Sequence, residues 1–369
     1  MNGYIHQLEQ WPDFKWNQEK LMQLLTGVRH RQGRLLGYME GLGFDLQTEA
    51  SLETLTLDVL KSSEIEGELL NTDQVRSSIA KHLGIDAPGL VPADRDVEGI
   101  VEMMLDATQH HEEALTEERL FSWHASLFPA DQSGTRKIKG GAWRNNPKSA
   151  PMQVVSGHIG RERVHYQAPD ADILSKEMRA FVKWFNKSDN TDAVIRAAIA
   201  HLWFVTIHPF DDGNGRIARA ITDMVLARSD KSSLRFYSMS AQIRKERNAY
   251  YNILEKTQKG SLDITAWLEW FLSCLDRALV ASDETLSIVM GKAKFWEKYK
   301  SHPFNERQKM MLNKLLDGFT GKLTNAKWAK IAKCSSDTAL RDINDLLQQE
   351  VLMKEPAGGR STSYVLNKV

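Results

Sequence analysis

The chain has 369 residues, 42% of them hydrophobic, and Lys plus Arg balances Asp plus Glu at 48 each. That length supports two or three domains with a substantial core, and the even charge balance excludes a global basic field for nucleic acid or an anionic membrane surface. Cys274 and Cys334 lack a C-x-x-C partner, the start holds Glu9 and Asp13 in place of a secretory leader, and no apolar run reaches membrane-span length, so a soluble, cytoplasmic chain is expected.

From Asn17 to about Leu42, Leu21, Leu24, Leu25, Val28, Leu35 and Leu36 recur at helical spacing, and Gly41 and Gly43 end the run. Trp11, Phe14 and Trp16 precede this helix and are expected to pack on its flank. A second helix is read from about Ala50 to Ile65, closing at Gly67. Asn71 or Thr72 caps a third, to about Leu83, and Asp86 to Pro92 reads as a linker. The next helix runs from Asp94 to about His111, with His110-His111 taken as a solvated end and not a metal site. Thr116 is an N-cap for a short helix through Phe121, Trp123 and Leu127, with Glu117 and Glu118 in its first turn.

The helical pattern lapses from Pro129 to Pro169, where Met152 to Ile159 reads as a short strand ending in a turn. Helices resume over 170–187 and 192–207. The second is an apolar run, Ala198 to Ile207, that delivers His208-Pro209-Phe210-Asp211-Asp212-Gly213-Asn214-Gly215-Arg216-Ile217-Ala218-Arg219. Pro209 stops the helix, so His208 faces a loop. Gly213, Asn214 and Gly215 tolerate positive φ, and a turn of this kind feeding a new helix makes an anion cradle from N–H groups without internal partners. Arg216 and Arg219 stand three apart and reach the same side. Asp212 adds one hard oxygen of the kind Mg²⁺ uses when phosphates supply the rest. A base, a metal ligand, an anion cradle and two cationic clamps suit group transfer from a nucleoside triphosphate, without saying which phosphorus is attacked. No P-loop pattern competes.

The signature helix ends near Arg228. Phe236-Tyr237-Ser238 and a helix with Tyr250, Tyr251, Leu254 and Gln258 follow. Asp263 caps a long helix toward Lys300, with Ser282 as a candidate break. Pro303 opens the last segment, with helical patterns at about Glu306 to Asp317, Thr324 to Ala332 and Ser336 to Gln349. Val351 to Met353, a Gly358-Gly359-Arg360 turn and Ser363 to Leu366 then read as a two-stranded wing. Lys327, Lys330, Lys333, Arg341 and Arg360 suit phosphate contacts, whereas Asp337, Asp342 and Asp345 on the recognition helix, Ser336 to Gln349, argue for a protein contact, and both readings stay open.

His208 to Arg219 resembles, without departure, the Fic family signature H-x-F-x-[DE]-G-N-G-R-x-x-R. The W-P-x-F-x-W opening resembles the helical domain that often precedes such cores in bacteria. Ser62, Glu66 and Gly67 resemble the family's inhibitory motif [ST]-x-x-x-E-[GN]. The resemblance implies that Glu66 pairs with Arg219 and blocks a productive ATP pose. Gly140-Gly141-Ala142-Trp143-Arg144 resembles the opening of the family's flap, which implies that Val155, Ser156, Gly157 and His158 line the nucleotide site and that the hairpin edge pairs with a target backbone. Tyr250, Tyr251 and Gln258 resemble its adenine-pocket stretch.

The expected fold is mainly α: a helical domain over 1–90, a Fic-type helical core with a β-hairpin flap over 91–300 and a winged helix-turn-helix over 301–369. The expected activity is protein adenylyltransfer, with AMP moving from ATP to a Ser, Thr or Tyr hydroxyl of a target protein or of the chain itself. In this reading His208 is the catalytic base and Asp212 holds Mg²⁺. Asp212, Gly213, Asn214, Gly215, Arg216 and Arg219 contact ATP, Asn214 by its side chain and Gly213 to Arg216 through their amides, while Glu66 restrains the enzyme. Two alternatives remain: removal of AMP by the same site, and a DNA-binding regulator whose Fic core senses nucleotide. A homodimer is compatible with the sequence.

Overall fold

The computed structural model describes residues 3–85, 89–129, 138, 140–157, 161–187, 189–316, 318–319, 321–355 and 362–367. His158 and Ile159, the Gly358 to Arg360 turn and the Asp86 to Pro88 part of the linker lie outside the described residues. Contacts group the chain into two compact units, 1–85 with 91–283, and 86–90 with 284–369.

Among the described residues, the regular structure of the first unit is helical except for one hairpin. Its N-terminal helices are α1 (Gln18–Glu40), capped by Asn17, α2 (Phe44–Ile65) and α3 (Thr72–His82), capped by Asn71. α2 begins at Phe44 and not near Ala50. It ends at Glu66 in a Schellman closure, with Glu68 N–H donating to Ser63 O and Gly67 N–H to Glu64 O, while Gly67 takes φ +92°. That closure fixes where Glu66 and Glu68 leave the helix.

α4 (Arg95–Gln109), α5 (Glu117–Leu127), α6 (Leu174–Asn186), α7 (Ala193–Ile207) and α8 (Asn214–Asp230) form the centre of the unit, with α7 packed along α8. The mostly apolar surface of α7, interrupted by Arg196, His201 and Thr206, explains its place: Val194, Ala197, Ala198, Leu202, Phe204 and Ile207 are 4% exposed or less. Trp11 and Phe14 meet Trp203 of α7 edge to face, at 6.2 and 5.8 Å. His110 stays exposed, but His111 is buried and its Nδ1 lies 2.8 Å from Thr108 O, so only half of that pair is solvated.

β1 (Gln153–Ser156) pairs antiparallel with β2 (Arg163–Gln167) in a hairpin with a register shift between Val154 and Val155. Two helices, α9 (Met239–Lys245) and α10 (Arg247–Gln258), follow where the sequence suggests one. They part at Glu246, which is held by Arg277. α11 (Thr265–Lys298) is continuous through Ser282, whose hydroxyl donates to Leu279 O, and its last turns belong to the second unit.

The second unit adds α12 (Glu306–Leu316), α13 (Asn325–Ile331), α14 (Ser336–Gln348) and an antiparallel pair, β3 (Leu352–Lys354) with β4 (Tyr364–Leu366). Trp328, Met311, Leu312, Ile343 and Leu346 centre its core, all fully buried. Asp342 is not a surface charge, because Arg307 grips it through Nε and Nη2 at 2.8 and 3.0 Å. Asp345 accepts from Gln308 at 2.7 Å. No helix among the described residues is long and apolar enough to cross a membrane.

Candidate active site

His208 is the first residue after α7 and takes a left-handed conformation, φ 52° and ψ 58°. A side chain there is strained by about 1–2 kcal/mol, so something must hold it. Arg144 does: its Nε donates to His208 O at 2.8 Å, its Nη2 to Pro169 O at 2.6 Å, and its backbone N–H to Pro209 O at 2.9 Å. Phe210 anchors the loop from below, fully buried and stacked on His124 at 4.1 Å.

Close packing lowers the His208 pKa to about 4, with Arg144 adding to the effect and Glu66, Asp212 and the Val205 carbonyl opposing it. The ring is therefore neutral near pH 7. Its Nδ1 sits 3.3 Å from Val205 O, which favours the proton on Nδ1 and leaves the Nε2 lone pair free as a base.

The turn after His208 is close-packed. Gly213 has φ +79°, and a Cβ there would meet the Phe128 ring at 2.9 Å. The Asp212 carboxylate is exposed, with Oδ1 accepting from Gly213 N–H at 2.6 Å. The Asn214 side chain is bound to the loop itself and not free to hold an anion as expected. Its Oδ1 accepts from Phe210 N–H at 3.0 Å and its Nδ2 donates to Phe210 O at 2.8 Å. This fixes the loop to the start of α8.

The two arginines in the first turns of α8, Arg216 and Arg219, are covered. Arg219, 2% exposed, donates through Nε to Ser62 Oγ at 2.8 Å, and its Nη2 meets Glu66 Oε1 at 2.8 Å. Burial alone would lower its pKa, but Glu66, together with Tyr250 and Tyr251, reverses that and raises it. Arg216 Nη1 meets Glu68 Oε2 at 2.7 Å, a partner the sequence pattern does not reveal because only Glu66 falls on a motif position. Burial, with help from Asp212 and Glu66, raises the Glu68 pKa against the pull of Arg216.

A cavity of about 550 Å³ opens beside these groups, lined among others by His208, Asp212, Gly215, Glu66, Val155 and Ser156. Tyr250, Tyr251 and Gln258 also line it, but their polar ends are partly spent. Tyr250 Oη lies 2.8 Å from His201 Nε2, and Gln258 Nε2 donates to Thr206 Oγ1 at 3.3 Å. Their faces, not their donors, are offered to a ligand. The hairpin brings Val155 and Ser156 to the cavity wall, whereas Gly157, at φ +107°, is not among the residues that line it.

Two features fit an anionic ligand. An added Cβ at Gly215 would collide with Glu66 Oε1, so a carboxylate already lies in the glycine turn as a phosphate oxygen would. Arg219 Nη1 is buried without a hydrogen-bond partner, a donor left over for such a group. One exposed carboxylate at Asp212 is the donor set Mg²⁺ takes when phosphates complete its shell. Glu68 and His201 escape the sequence reading, and Arg144 enters it only as the end of the flap opening, because the pairing of a buried cation with backbone carbonyls leaves no local pattern to find.

A family model described as Fic/DOC family matches residues 114–226, and one described as a domain of unknown function, DUF4172, matches residues 4–85. Protein adenylyltransferase Fic of Drosophila yakuba is 25% identical over 234 residues, 62% of this chain and 42% of that protein. The chain thus spans about two-fifths of the curated relatives it matches. Among solved structures, a Fic family protein from Desulfovibrio desulfuricans G20 superposes with a TM-score of 0.54 at 20% identity, covering 94% of this chain and 95% of that one. A Fic domain containing signaling protein from Bacteroides thetaiotaomicron VPI-5482 gives 0.51 at 21% identity, over 71% and 97%. These likenesses speak to the fold, and together with the family match over the signature they establish that the chain carries a Fic/DOC domain.

Proposed function

We propose that the chain is a Mg²⁺-dependent protein adenylyltransferase that moves AMP from ATP to a Ser, Thr or Tyr hydroxyl of a target protein and of itself. One observation carries the reading: a neutral imidazole, an exposed carboxylate and a glycine turn meet on one cavity. The name borne by the Drosophila relatives supports it.

His208 Nε2 accepts the proton of the incoming hydroxyl as its oxygen bonds to the α-phosphorus and the bond to pyrophosphate breaks. The amides of the Gly213 to Arg216 turn hold the anionic oxygens as charge moves. Bound through Asp212, Mg²⁺ would supply charge neutralisation between phosphate oxygens. Arg216 and Arg219 clamp the terminal phosphates once Glu68 and Glu66 release them. Glu66 restrains the resting enzyme by occupying both the glycine turn and a guanidinium that the γ-phosphate requires.

The proposed organisation is a helical domain over 1–90, the catalytic domain over 91–300 and a winged helix over 301–369. DNA binding by the last gains support from one observation: Asp342 and Asp345 are engaged inside the unit, while Lys327, Lys330, Lys333 and Arg341 stay exposed. Removal of AMP by the same site is the alternative reaction, tested by feeding an AMP-modified target and watching for free AMP.

The deciding experiment is His208→Ala in a Glu66→Gly background with labelled ATP and cell extract. Loss of all labelling is expected, and undiminished labelling overturns the assignment of the base.

A further inference from the structure

The hairpin holds a hydrogen-bonded chain that the transfer above does not use. Ser156 Oγ lies 2.5 Å from His165 Nε2, and His165 Nδ1 lies 2.6 Å from Glu255 Oε2. The three residues come from β1, β2 and α10, and all line the cavity that holds His208. A β-bulge assembles them. Val154 faces Tyr166 and Val155 faces Val164, so His165 is the extra, unpaired residue of β2. Bulges of this kind re-aim a side chain, and they concentrate beside active sites.

Glu255 also receives Lys259 at 2.7 Å and Arg163 at 3.0 Å. Partial burial alone would push its carboxyl up, but the Lys259, His165 and Arg163 donors hold it well below the usual range, so it stays ionised. An ionised acceptor at Nδ1 fixes the imidazole proton there. Nε2 then turns its lone pair to Ser156, whose hydroxyl donates. Nucleophile, base and orienting carboxylate stand in the order that activates a serine.

We propose that Ser156 is itself an acceptor hydroxyl, a self-modification site that takes a nucleotidyl group from a nucleoside triphosphate in the shared cavity. This rests on the reading of that cavity as a triphosphate site. Ser156 Oγ forms a bond to the α-phosphorus, the bond to pyrophosphate breaks, and the hydroxyl proton passes to His165 Nε2. The resulting imidazolium is balanced by Glu255. The product is a phosphodiester on β1 that keeps its nucleoside at the cavity wall, so the modification limits further entry of triphosphate.

The test uses the whole chain carrying Glu66→Gly, incubated with ATP and Mg²⁺, digested, and measured peptide by peptide for attached AMP. AMP on Ser156 is expected, and Ser156→Thr should keep AMP at that position. With His165→Gln, the ratio of AMP on Ser156 to AMP elsewhere in the same molecules should fall about a hundredfold. AMP on other residues with Ser156 bare overturns this proposal alone. So does a ratio indifferent to His165→Gln, which would make the chain of bonds a staple for the hairpin. Absence of AMP from every residue overturns this proposal, while the transferase reading falls only if cell extract also stays unlabelled.

Discussion

The Glu66 carboxylate binds the Arg219 guanidinium at 2.8 Å while lying on the bare Cα of Gly215, where an added Cβ would collide with the same oxygen. One anion therefore fills the cradle and ties up its clamp. Glu66→Gly should strengthen ATP binding by about tenfold, within the usual range of coupling between competing groups, as read by calorimetry. Gly215→Ala should not imitate it. Its Cβ displaces Glu66 but also fills the turn, so weakened ATP binding and a lower Tm are expected together.

Glu68 holds the neighbouring arginine, Arg216, at 2.7 Å, and its side chain is 48% exposed. Because Arg216 stays occupied when only Glu66 is removed, Glu66→Gly with Glu68→Gln should bind ATP more tightly than Glu66→Gly alone. A factor of a few is expected, since an exposed partner contributes under about 1 kcal/mol. Equal affinity of the two variants would show that Glu68 moves aside at no cost.

Arg144 satisfies carbonyls of Pro169 and His208 and fixes the strained residue between α7 and the loop. Arg144→Ala should cost about 3 kcal/mol or more, because several buried acceptors lose their donor at once. Arg144→Lys should recover only part of the Tm, as one ammonium lacks the fork that spans these carbonyls. Urea unfolding of the two variants checks the order.

Much of this site is legible in the sequence because its function depends on short spacing. His208 follows an apolar helix and precedes a proline, and Gly213 sits where positive φ is required, so the loop declares itself, although Asn214 and Gly215 turn out to belong to the first turn of α8. What stays hidden is long-range. The Arg144 contacts cross 64 residues to His208, the Glu68 contact crosses 148 to Arg216, and His165 reaches Glu255 over 90. The second strand of the hairpin is missed for a different reason: residues 163–167 mix Arg, His and Gln with Val and Tyr, and a bulge breaks the alternation that would betray a strand. The early start of α2 at Phe44 is masked by Gly41 and Gly43, which close α1 and blur the beginning of its successor.

The lowered pKa values of His208, at about 4, and of His201, at about 3, make two linked predictions. Burial is the main cause in both. Because His208 stays neutral well below pH 6.5, the acid limb of activity in Glu66→Gly should fall near pH 4 to 5. For stability the sign follows from which state takes the proton. The unfolded chain protonates these histidines near 6.5 and the folded chain does not, so stability is full above that pH and is lost as pH falls toward 4 or 3. Each such histidine contributes a slope of roughly 1.4 kcal/mol per pH unit in that window. Asp223 acts in the opposite sense, since burial and its neighbour Asp58 raise its pKa, and it lessens the net slope. Nitrogen NMR of the two imidazoles separates them: both should remain neutral at pH 6.

In the second unit, Arg307 and Asp342 form a two-point ion pair whose carboxylate is buried and whose guanidinium is 42% exposed. Arg307→Ala leaves that carboxylate with Asn305 as its remaining side-chain donor at 2.9 Å. A loss of about 1–2 kcal/mol is expected, less than for a fully buried pair because water already screens the arginine. The pH dependence distinguishes this cause from lost packing. In the intact chain, burial pushes the Asp342 carboxyl up, but the Arg307 and Asn305 donors outweigh it and hold it low, so its contribution is present above the unfolded pKa and fades as pH falls through the folded one. Without Arg307 the buried group prefers its proton, and the gap between variant and parent should close as pH drops toward 4. Urea unfolding followed by the fluorescence of Trp296 and Trp328, both in this unit, measures that gap; a deficit constant from pH 7 to 4 would assign the loss to the arginine's packing instead of its charge.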